Sequence, residues 1–365
     1  MDNLGLQDEI EMQEMSSVPI AATWADIPVP FKSEMATYLD TTTTNDFLLS
    51  SKEHKTIVEH NPFALQKLRI TALPKKLLNR TQFNCQKTKK TLKTETSTES
   101  LAMKLETDAA ANYFLRSFRN IDTVVDQILF EYCEKCPKGM NKLMTKILES
   151  ADERKAQGYS TTFKVKQLHW SGPVQNCALP EIVVHLDPKY LHTLFIKSNH
   201  VHRDEVEKVI AMPHWNKLKE IRISATVDLN LKDFYHFAKM EICLPALDPT
   251  EFAAFMTNFM TVNKINMSYF TITTKRLMDL EFKNKIVEIF GPGGWADGGK
   301  EAFDFMTASQ PVRKFRLPND PDHVLIVNFG AKIVSGMITS QHVVTNSYVF
   351  FLMRMNMSLT RSFDI

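Results

Sequence analysis

The sequence contains little glycine, few cysteines and no long apolar run, and each shortage excludes a class of protein. Five cysteines among 365 residues are too few for a disulfide-stapled scaffold. The longest apolar candidate, residues 348–353, is far shorter than the roughly 18 residues that a membrane helix needs. Residues 1–15 are acidic and do not resemble a secretory or mitochondrial leader. We therefore expect a cytoplasmic or nuclear protein without a membrane partner.

A strong charge of one sign is also missing. Lys and Arg number 44 and Asp and Glu number 42, which gives a formal net charge of +2. This balance provides no overall electrostatic reason for a nucleic-acid partner, so we expect none. The length and the 44% hydrophobic share suit a globular protein of two domains, or of one domain with a small module.

The amino-terminal part is predicted to be a disordered tail followed by a small helical unit. Residues 1–22 are polar and show no hydrophobic periodicity. Residues 23–61 predict three short helices, the first of which follows Asp26 and Pro28. A unit of about 40 residues rarely folds alone, and each large apolar side chain that it buries is worth roughly 1.5–3 kcal/mol. We expect the unit either to cap the rest of the chain or to dock on a separate protein.

A basic segment separates this unit from the rest of the chain. Residues 75–93 contain seven basic residues and no acidic one, so residues 62–98 are interpreted as a solvated connector, with a phosphate-binding patch as the alternative. Beyond it, Leu101–Phe118 and Met140–Lys155 show helical periodicity.

An apolar-x-x-apolar-x-apolar spacing recurs at intervals of 19 to 27 residues. The copies are Val165-Leu168-Trp170, Leu191-Leu194-Ile196, Leu218-Ile221-Ile223, Phe237-Met240-Ile242 and Val262-Ile265-Met267, with weaker ones at Leu65-Leu68-Ile70 and Val125-Ile128-Phe130. Helical segments separate several copies, at Arg203–Met212 and after the capping sequence that begins at Asp248. A leucine-rich repeat has a similar period of about 20–29 residues.

These repeats predict an α/β fold. One strand and one helix cannot bury their own apolar faces, so neighbouring units should stack into a leucine-rich-repeat-like curved parallel sheet with helices on its convex side. Residues 99–275 would form this repeat domain. Residues 276–365, which include strand candidates at 324–329 and 343–351, would cap it. The alternative is an ordinary α/β domain whose strands fall at these intervals.

One glycine-rich segment offers an enzymatic interpretation. Five of the eleven glycines lie in residues 291–299, and Gly294-x4-Gly299-Lys300 has the spacing of a phosphate-binding loop after the strand-like residues 286–290. Glu301 stands where that loop needs Ser or Thr, and Asp297 would face phosphate oxygens. A nucleotide-binding enzyme using the loop 291–300 is therefore the least favoured function.

No other motif indicates chemistry. Cys133 and Cys136 form half of a zinc site without a second half, and His200 and His202 have no further ligand at a set spacing. We expect no catalytic residues, no cofactor and no metal, and hence no enzymatic activity.

The amino-terminal unit resembles the F-box of nematode F-box proteins. The residues that carry the resemblance are Trp24-x2-Ile27-Pro28-x2-Phe31-x3-Met35-x3-Leu39, then Phe47-Leu48-Leu49-Ser50-Ser51-Lys52 and Asn61-Pro62-Phe63. The following residues, to about 275, are similar to the FTH domain found after the F-box in that family.

The resemblance implies a substrate-recognition subunit of a cullin-type (SCF-like) ubiquitin ligase. In that family the F-box docks on the Skp adaptor, and through it on a cullin, while the downstream domain holds a target protein. The residues implied to contact the adaptor are Ile27, Pro28, Phe31, Met35, Leu39, Phe47 and Leu48. The alternative is a repeat scaffold for protein–protein interaction that has no link to a ligase.

The strand pattern also predicts a target-binding face. Because side chains alternate along a strand, the residues between the core positions should line the opposite side of the sheet. From these we expect His169, Phe195, Arg222, Glu241 and Asn266 to bind the target. Phe195, a large aromatic among charged neighbours, resembles an interface anchor, unless it packs under a loop.

Overall fold

The chain divides into two compact units, Met1–Asn61 and Pro62–Ile365, and each is described by itself. The structure is a computed structural model. It describes residues 27–36, 51–52, 64–72, 80–90, 96–118, 122–132, 137–156, 162–172, 178–198, 203–262, 267–290 and 312–341.

The first unit contains helix α1, Val29–Ala36. The amides of Phe31 and Lys32 both donate to the carbonyl of Pro28 at 3.0 Å, so the helix begins at the proline as the sequence predicts. Leu39, Phe47 and Leu48, and the second and third helices apart from residues 51–52, lie outside the described residues.

The second unit is a mixed α/β structure with one large sheet and several helices on it. Its described strands are β1 Ala64–Ala72, β2 Arg80–Lys90, β3 Thr96–Glu106, β4 Val124–Glu131, β5 Lys164–Ser171, β6 Thr193–Lys197, β7 Glu220–Thr226, β8 Lys239–Leu244, β9 Tyr269–Thr274, β10 Val312–Leu317, β11 Asp320–Phe329 and β12 Ile333–Ser340. Its described α-helices are α2 Thr107–Ser117, α3 Pro137–Ala156, α4 Leu179–Val184, α5 Arg203–Ile210, α6 Pro249–Val262 and α7 Leu280–Phe290. None of these helices is both long and apolar enough to span a membrane.

The middle of the sheet is parallel, as the recurring spacing predicts. The strand order is β10-β11-β12-β9-β8-β7-β6-β5-β4-β1-β2-β3, and the run from β9 to β1 pairs in parallel throughout. Within this run the repeated apolar positions align from strand to strand. One buried row consists of Leu68, Ile128, Leu168, Leu194, Ile221, Met240 and Phe270. Both weaker copies thus belong to the repeat.

The helices cover the side of the sheet that carries this row. Phe114 of α2 lies 6.1 Å from Phe130 of β4 between ring centroids, and Phe255 of α6 lies 5.1 Å from Phe270 of β9. Asp248 caps α6, because its Oδ1 accepts from the amides of Thr250 and Glu251 at 2.9 Å. The buried side chains form one continuous core from Leu68 to Ile338.

The connector interpretation of residues 62–98 is wrong in its described part. Those residues contain β1, β2 and the start of β3, and β2 pairs antiparallel with both of its neighbours. The predicted helix from Leu101 is also too long, because β3 continues to Glu106 and α2 begins only at Thr107. Most residues of β2 are polar or basic, and only Phe83 and Cys85 are apolar, so the pattern gave little strand signal.

The fifth copy of the repeat was placed five residues too early. Val262 ends α6, and the strand begins at Tyr269. The aligned positions in β9 are Phe270 and Ile272, which pair with Met240 and Ile242 of β8.

The described strands of the carboxyl-terminal region continue the same sheet. Strands β10 to β12 continue it from β9 in antiparallel fashion, which includes the predicted strand at 324–329; residues 343–351 lie outside the described part. The strand predicted at 286–290 is wrong, because those residues belong to helix α7. The loop 291–300 therefore lacks the preceding strand that a phosphate-binding loop requires.

A close contact at Gly336 tests the packing of this junction. Gly336 of β12 pairs with Phe270 of β9, and a Cβ at Gly336 would overlap the phenylalanine ring. We expect Gly336→Ala to lower the free energy of unfolding by about 1–3 kcal/mol, measured by urea denaturation. The neighbouring Ser335→Ala is the control and should have little effect. If Phe270→Leu does not recover part of the loss in the double variant, the overlap is not the cause.

Candidate interaction surface

The side of the parallel strands opposite the buried row is called the open face here, and the register defines it as three rows. The first is Lys67, Gln127, Gln167, Thr193, Glu220, Lys239 and Tyr269. The second is Arg69, Leu129, His169, Phe195, Arg222, Glu241 and Thr271. The third is Thr71, Glu131, Ser171 and Lys197.

Four of the five predicted target-binding residues lie side by side in the second row. His169, Phe195, Arg222 and Glu241 occupy the four neighbouring strands β5 to β8. Asn266 lies outside the described residues, and the structure places Thr271 of β9 in the corresponding position. The four side chains are half-buried. Their role in binding stays a prediction.

Aromatic stacking organises the centre of the open face. The rings of His169 and Phe195 stack with centroids 4.2 Å apart and planes 25° apart. On the other side of Phe195, the guanidinium carbon of Arg222 lies 4.5 Å from the ring centroid, a cation–π distance. Phe195 thus contacts side chains of the two neighbouring strands.

Arg222 also connects the central strands through charged hydrogen bonds. Its Nη2 lies 2.7 Å from Oε1 of Glu220, and its Nε lies 3.4 Å from Oε1 of Glu241. The same Nη2 donates to the hydroxyl of Tyr269 at 2.7 Å, and that hydroxyl donates to Glu241 Oε1 at 3.1 Å. One arginine therefore holds two carboxylates and a phenol from strands β7, β8 and β9.

Sequence reasoning missed two members of this cluster. Tyr269 was missed because the fifth copy was placed too early; the alternation of Phe270 and Ile272 could have found it. Gln127 was missed because its strand belongs to a weaker copy. Its amide nitrogen lies 2.8 Å from Nε2 of His169, which fixes the imidazole on the side away from Phe195.

The burial of the cluster shifts its titrations. Burial, with smaller contributions from Lys67 and Arg222, lowers the pKa of His169 to about 4. Burial raises the pKa of Glu241, although Arg222 and Tyr269 oppose the shift. Burial and the nearby Glu241 also raise the pKa of Tyr269. At neutral pH the imidazole and the phenol are therefore uncharged.

This arrangement suits recognition of a partner surface. Aromatic and arginine side chains with fixed conformations are the usual anchors of protein interfaces, since little side-chain entropy is left to lose on binding. Within the described residues, His, Cys, Asp and Glu form no group of three or more that could hold a metal ion. The sequence candidates for metal or nucleotide binding, Cys133, Cys136, His200, His202 and the loop 291–300, lie outside those residues.

The lowered pKa of His169 predicts a pH-dependent stability. Because the unfolded chain, with a histidine pKa near 6.5, takes up the proton more readily than the fold does, protonation favours unfolding. The contribution of the neutral His169 to the free energy of unfolding is complete above pH 6.5 and is lost as the pH falls towards 4. We expect His169→Gln to lose less stability than wild type between pH 7 and 4.5, measured by urea unfolding.

His192→Gln is the control, because His192 is more exposed and should leave most of the pH dependence in place. In the folded wild type, the NMR titration of the His169 imidazole should have its midpoint near pH 4. A midpoint near 6.5 would show that the stacked, desolvated imidazole does not exist in solution.

One family model matches part of the chain. The family model of the FTH domain matches residues 146–293, from within α3 to just beyond α7. The match begins later than the predicted residue 99 and extends beyond 275. No curated protein and no solved structure matches the chain. His169, Phe195, Arg222 and Glu241 all fall within the matched residues, and the segment 146–293 is an FTH domain.

Proposed function

We propose that this chain is the substrate-recognition subunit of a cullin-type ubiquitin ligase. In this proposal the amino-terminal unit docks on the Skp adaptor, and the open face of the second unit holds the target protein. The FTH domain at residues 146–293 is the observation that carries the proposal, since FTH domains are associated with F-box proteins.

The surface of α1 supports the docking part of the proposal. Val29, Phe31 and Met35 are 56%, 59% and 38% exposed. Three large apolar side chains on an eight-residue helix are costly to leave in water, and an adaptor that covers them would gain roughly 1.5–3 kcal/mol for each fully buried side chain before ordering costs. Phe31 and Met35 are also two of the residues that the F-box resemblance implies as adaptor contacts.

The chain would contribute no chemistry of its own to the ligase. A receptor raises the effective concentration of target lysines near the charged ubiquitin-conjugating enzyme, which accelerates transfer through proximity. This role requires two binding surfaces and no nucleophile or general base. The stacked, hydrogen-bonded open face supplies a surface of that kind.

Substitution of Phe31 tests adaptor docking. We expect Phe31→Asp to reduce co-purification of the Skp adaptor with the full chain at least tenfold, because a carboxylate would be buried in an apolar contact. The matched control is Val184→Asp on α4, which places the same charge at a side chain of equal exposure, 58%. Equal adaptor recovery from both variants would favour the scaffold without a ligase link.

Substitution of Phe195 tests target recognition separately. In cells that express the full chain, we expect Phe195→Ala to abolish the chain-dependent ubiquitylation of targets while adaptor recovery is unchanged. The measurement is quantitative mass spectrometry of ubiquitylated lysines, with Val184→Ala as the control and thermal unfolding to verify that both variants fold. Unchanged ubiquitylation in the Phe195 variant would exclude the open face as the target site.

A further inference from the structure

The carboxylates of the open face already form ion pairs with arginines. Glu131 lies 2.8 Å from Arg69, and the Glu220 and Glu241 carboxylates share Arg222. Glu220 and Glu241 are also largely buried, with 17% and 15% of their side chains exposed. A partner therefore finds no unpaired negative charge in the three rows that define this face.

The positive charges of the same face are in excess. The three rows contain five cationic residues, Lys67, Arg69, Lys197, Arg222 and Lys239, and three carboxylates, Glu131, Glu220 and Glu241. Lys67 and Lys239 have no ion-pair partner among the described residues. The neutral His169 adds nothing to this charge at pH 7.

We infer that the target segment held by the open face is acidic, with an apolar residue at its centre. The inference rests on the proposed function, since it specifies what the open face recognises. The unpaired lysines would attract carboxylates at both ends of the first row, and the stacked Phe195 and His169 between them would receive the apolar side chain. New buried ion pairs with Glu220 and Glu241 are not available, because both carboxylates already pair with Arg222.

The dimensions of the face fit a short extended segment. Lys67 and Lys239 lie in β1 and β8, five strand steps apart in the sheet order. At about 4.8 Å per step this is about 24 Å, which an extended peptide of about seven residues spans. Gln127, Gln167 and Thr193 between the two lysines are neutral, so the expected segment carries its carboxylates towards its ends.

A nucleic acid is the competing polyanion, and the charge pattern does not favour it. A phosphate backbone places a charge at every nucleotide, whereas the middle of the first row is neutral and is followed by Glu220. Backbone recognition would require cations along the whole path.

The experiment uses the full chain and a defined probe. A fluorescein-labelled twelve-residue peptide with Glu at both ends and a central Phe is titrated by fluorescence anisotropy. The double variant Lys67→Glu and Lys239→Glu should weaken binding at least tenfold. The control double variant Lys142→Glu and Lys232→Glu changes the net charge equally at exposed lysines of α3 and of the turn before Phe234, and should bind as wild type does.

Two comparison probes complete the test. The same peptide with Lys in place of Glu should not bind, and affinity for the acidic peptide should fall between 50 and 200 mM salt because exposed charges are screened beyond about 8 Å. Equal affinity in wild type and in the Lys67 and Lys239 double variant would overturn the inference, as would tighter binding of a single-stranded oligonucleotide of the same charge. Co-purification of the Skp adaptor tests the ligase proposal independently. If the chain binds the adaptor but not the peptide, only the inference of an acidic target is wrong.

Discussion

The register of the seven parallel strands is the constraint on which the rest of the second unit depends. Leu168, Leu194 and Ile221 align as neighbours in one buried row, and helices α2 and α6 pack on the same side of the sheet through Phe114 and Phe255. Since side chains alternate, burial of that row forces His169, Phe195 and Arg222 onto the opposite side. A slip of one residue in any strand would exchange core and surface, so the same apolar contacts that stabilise the fold also compose the open face.

Arg222 gives that face its rigidity. Its guanidinium stacks on Phe195 and contacts Glu241 and Tyr269, so the side chains of four strands restrain one another. Without the arginine, two largely buried carboxylates would face each other unpaired, which is costly. The side chains of such a face lose little conformational entropy when a partner binds. The affinity then depends mainly on how well the charges and apolar groups of the partner match those of the open face.

The parts of this structure that the sequence could predict are those where burial imposes a period. The buried positions of β5 to β8 follow the repeated spacing, and so does the row of side chains opposite them. Strand β9 was misplaced because Met267 satisfies the same spacing both as the last member of Val262-Ile265-Met267 and as the first of Met267-Phe270-Ile272. The aromatic and β-branched residues from Tyr269 to Thr274 decide between the two, since they favour a strand. In β2 only Phe83 and Cys85 are apolar, which is too short a period to predict a strand, and its pairing with β1 and β3 shows that it is one. Residues 286–290 illustrate the opposite failure, because a short apolar run fits a helix and a strand equally well.

The cluster around Arg222 could not be predicted as a cluster, although most of its residues could. Alternation along one strand predicts the side of the sheet on which a residue lies. It does not predict that the side chain of Tyr269 extends across β8 and forms a hydrogen bond with Arg222 of β7.

The charge that the open face presents to a partner likewise depends on which side chains form ion pairs, and not on composition alone. The whole chain is nearly neutral at +2, yet on the open face Arg69 and Arg222 pair with the three carboxylates and leave Lys67 and Lys239 without an ion-pair partner among the described residues. These different roles of arginine and lysine suit a receptor of the proposed kind. The planar guanidinium donates several hydrogen bonds and holds the neighbouring side chains in place. The flexible, hydrated ammonium group of lysine stays accessible to a partner. Selectivity for an acidic target then requires no additional cationic residues, only that the existing carboxylates be paired with arginine on the face itself.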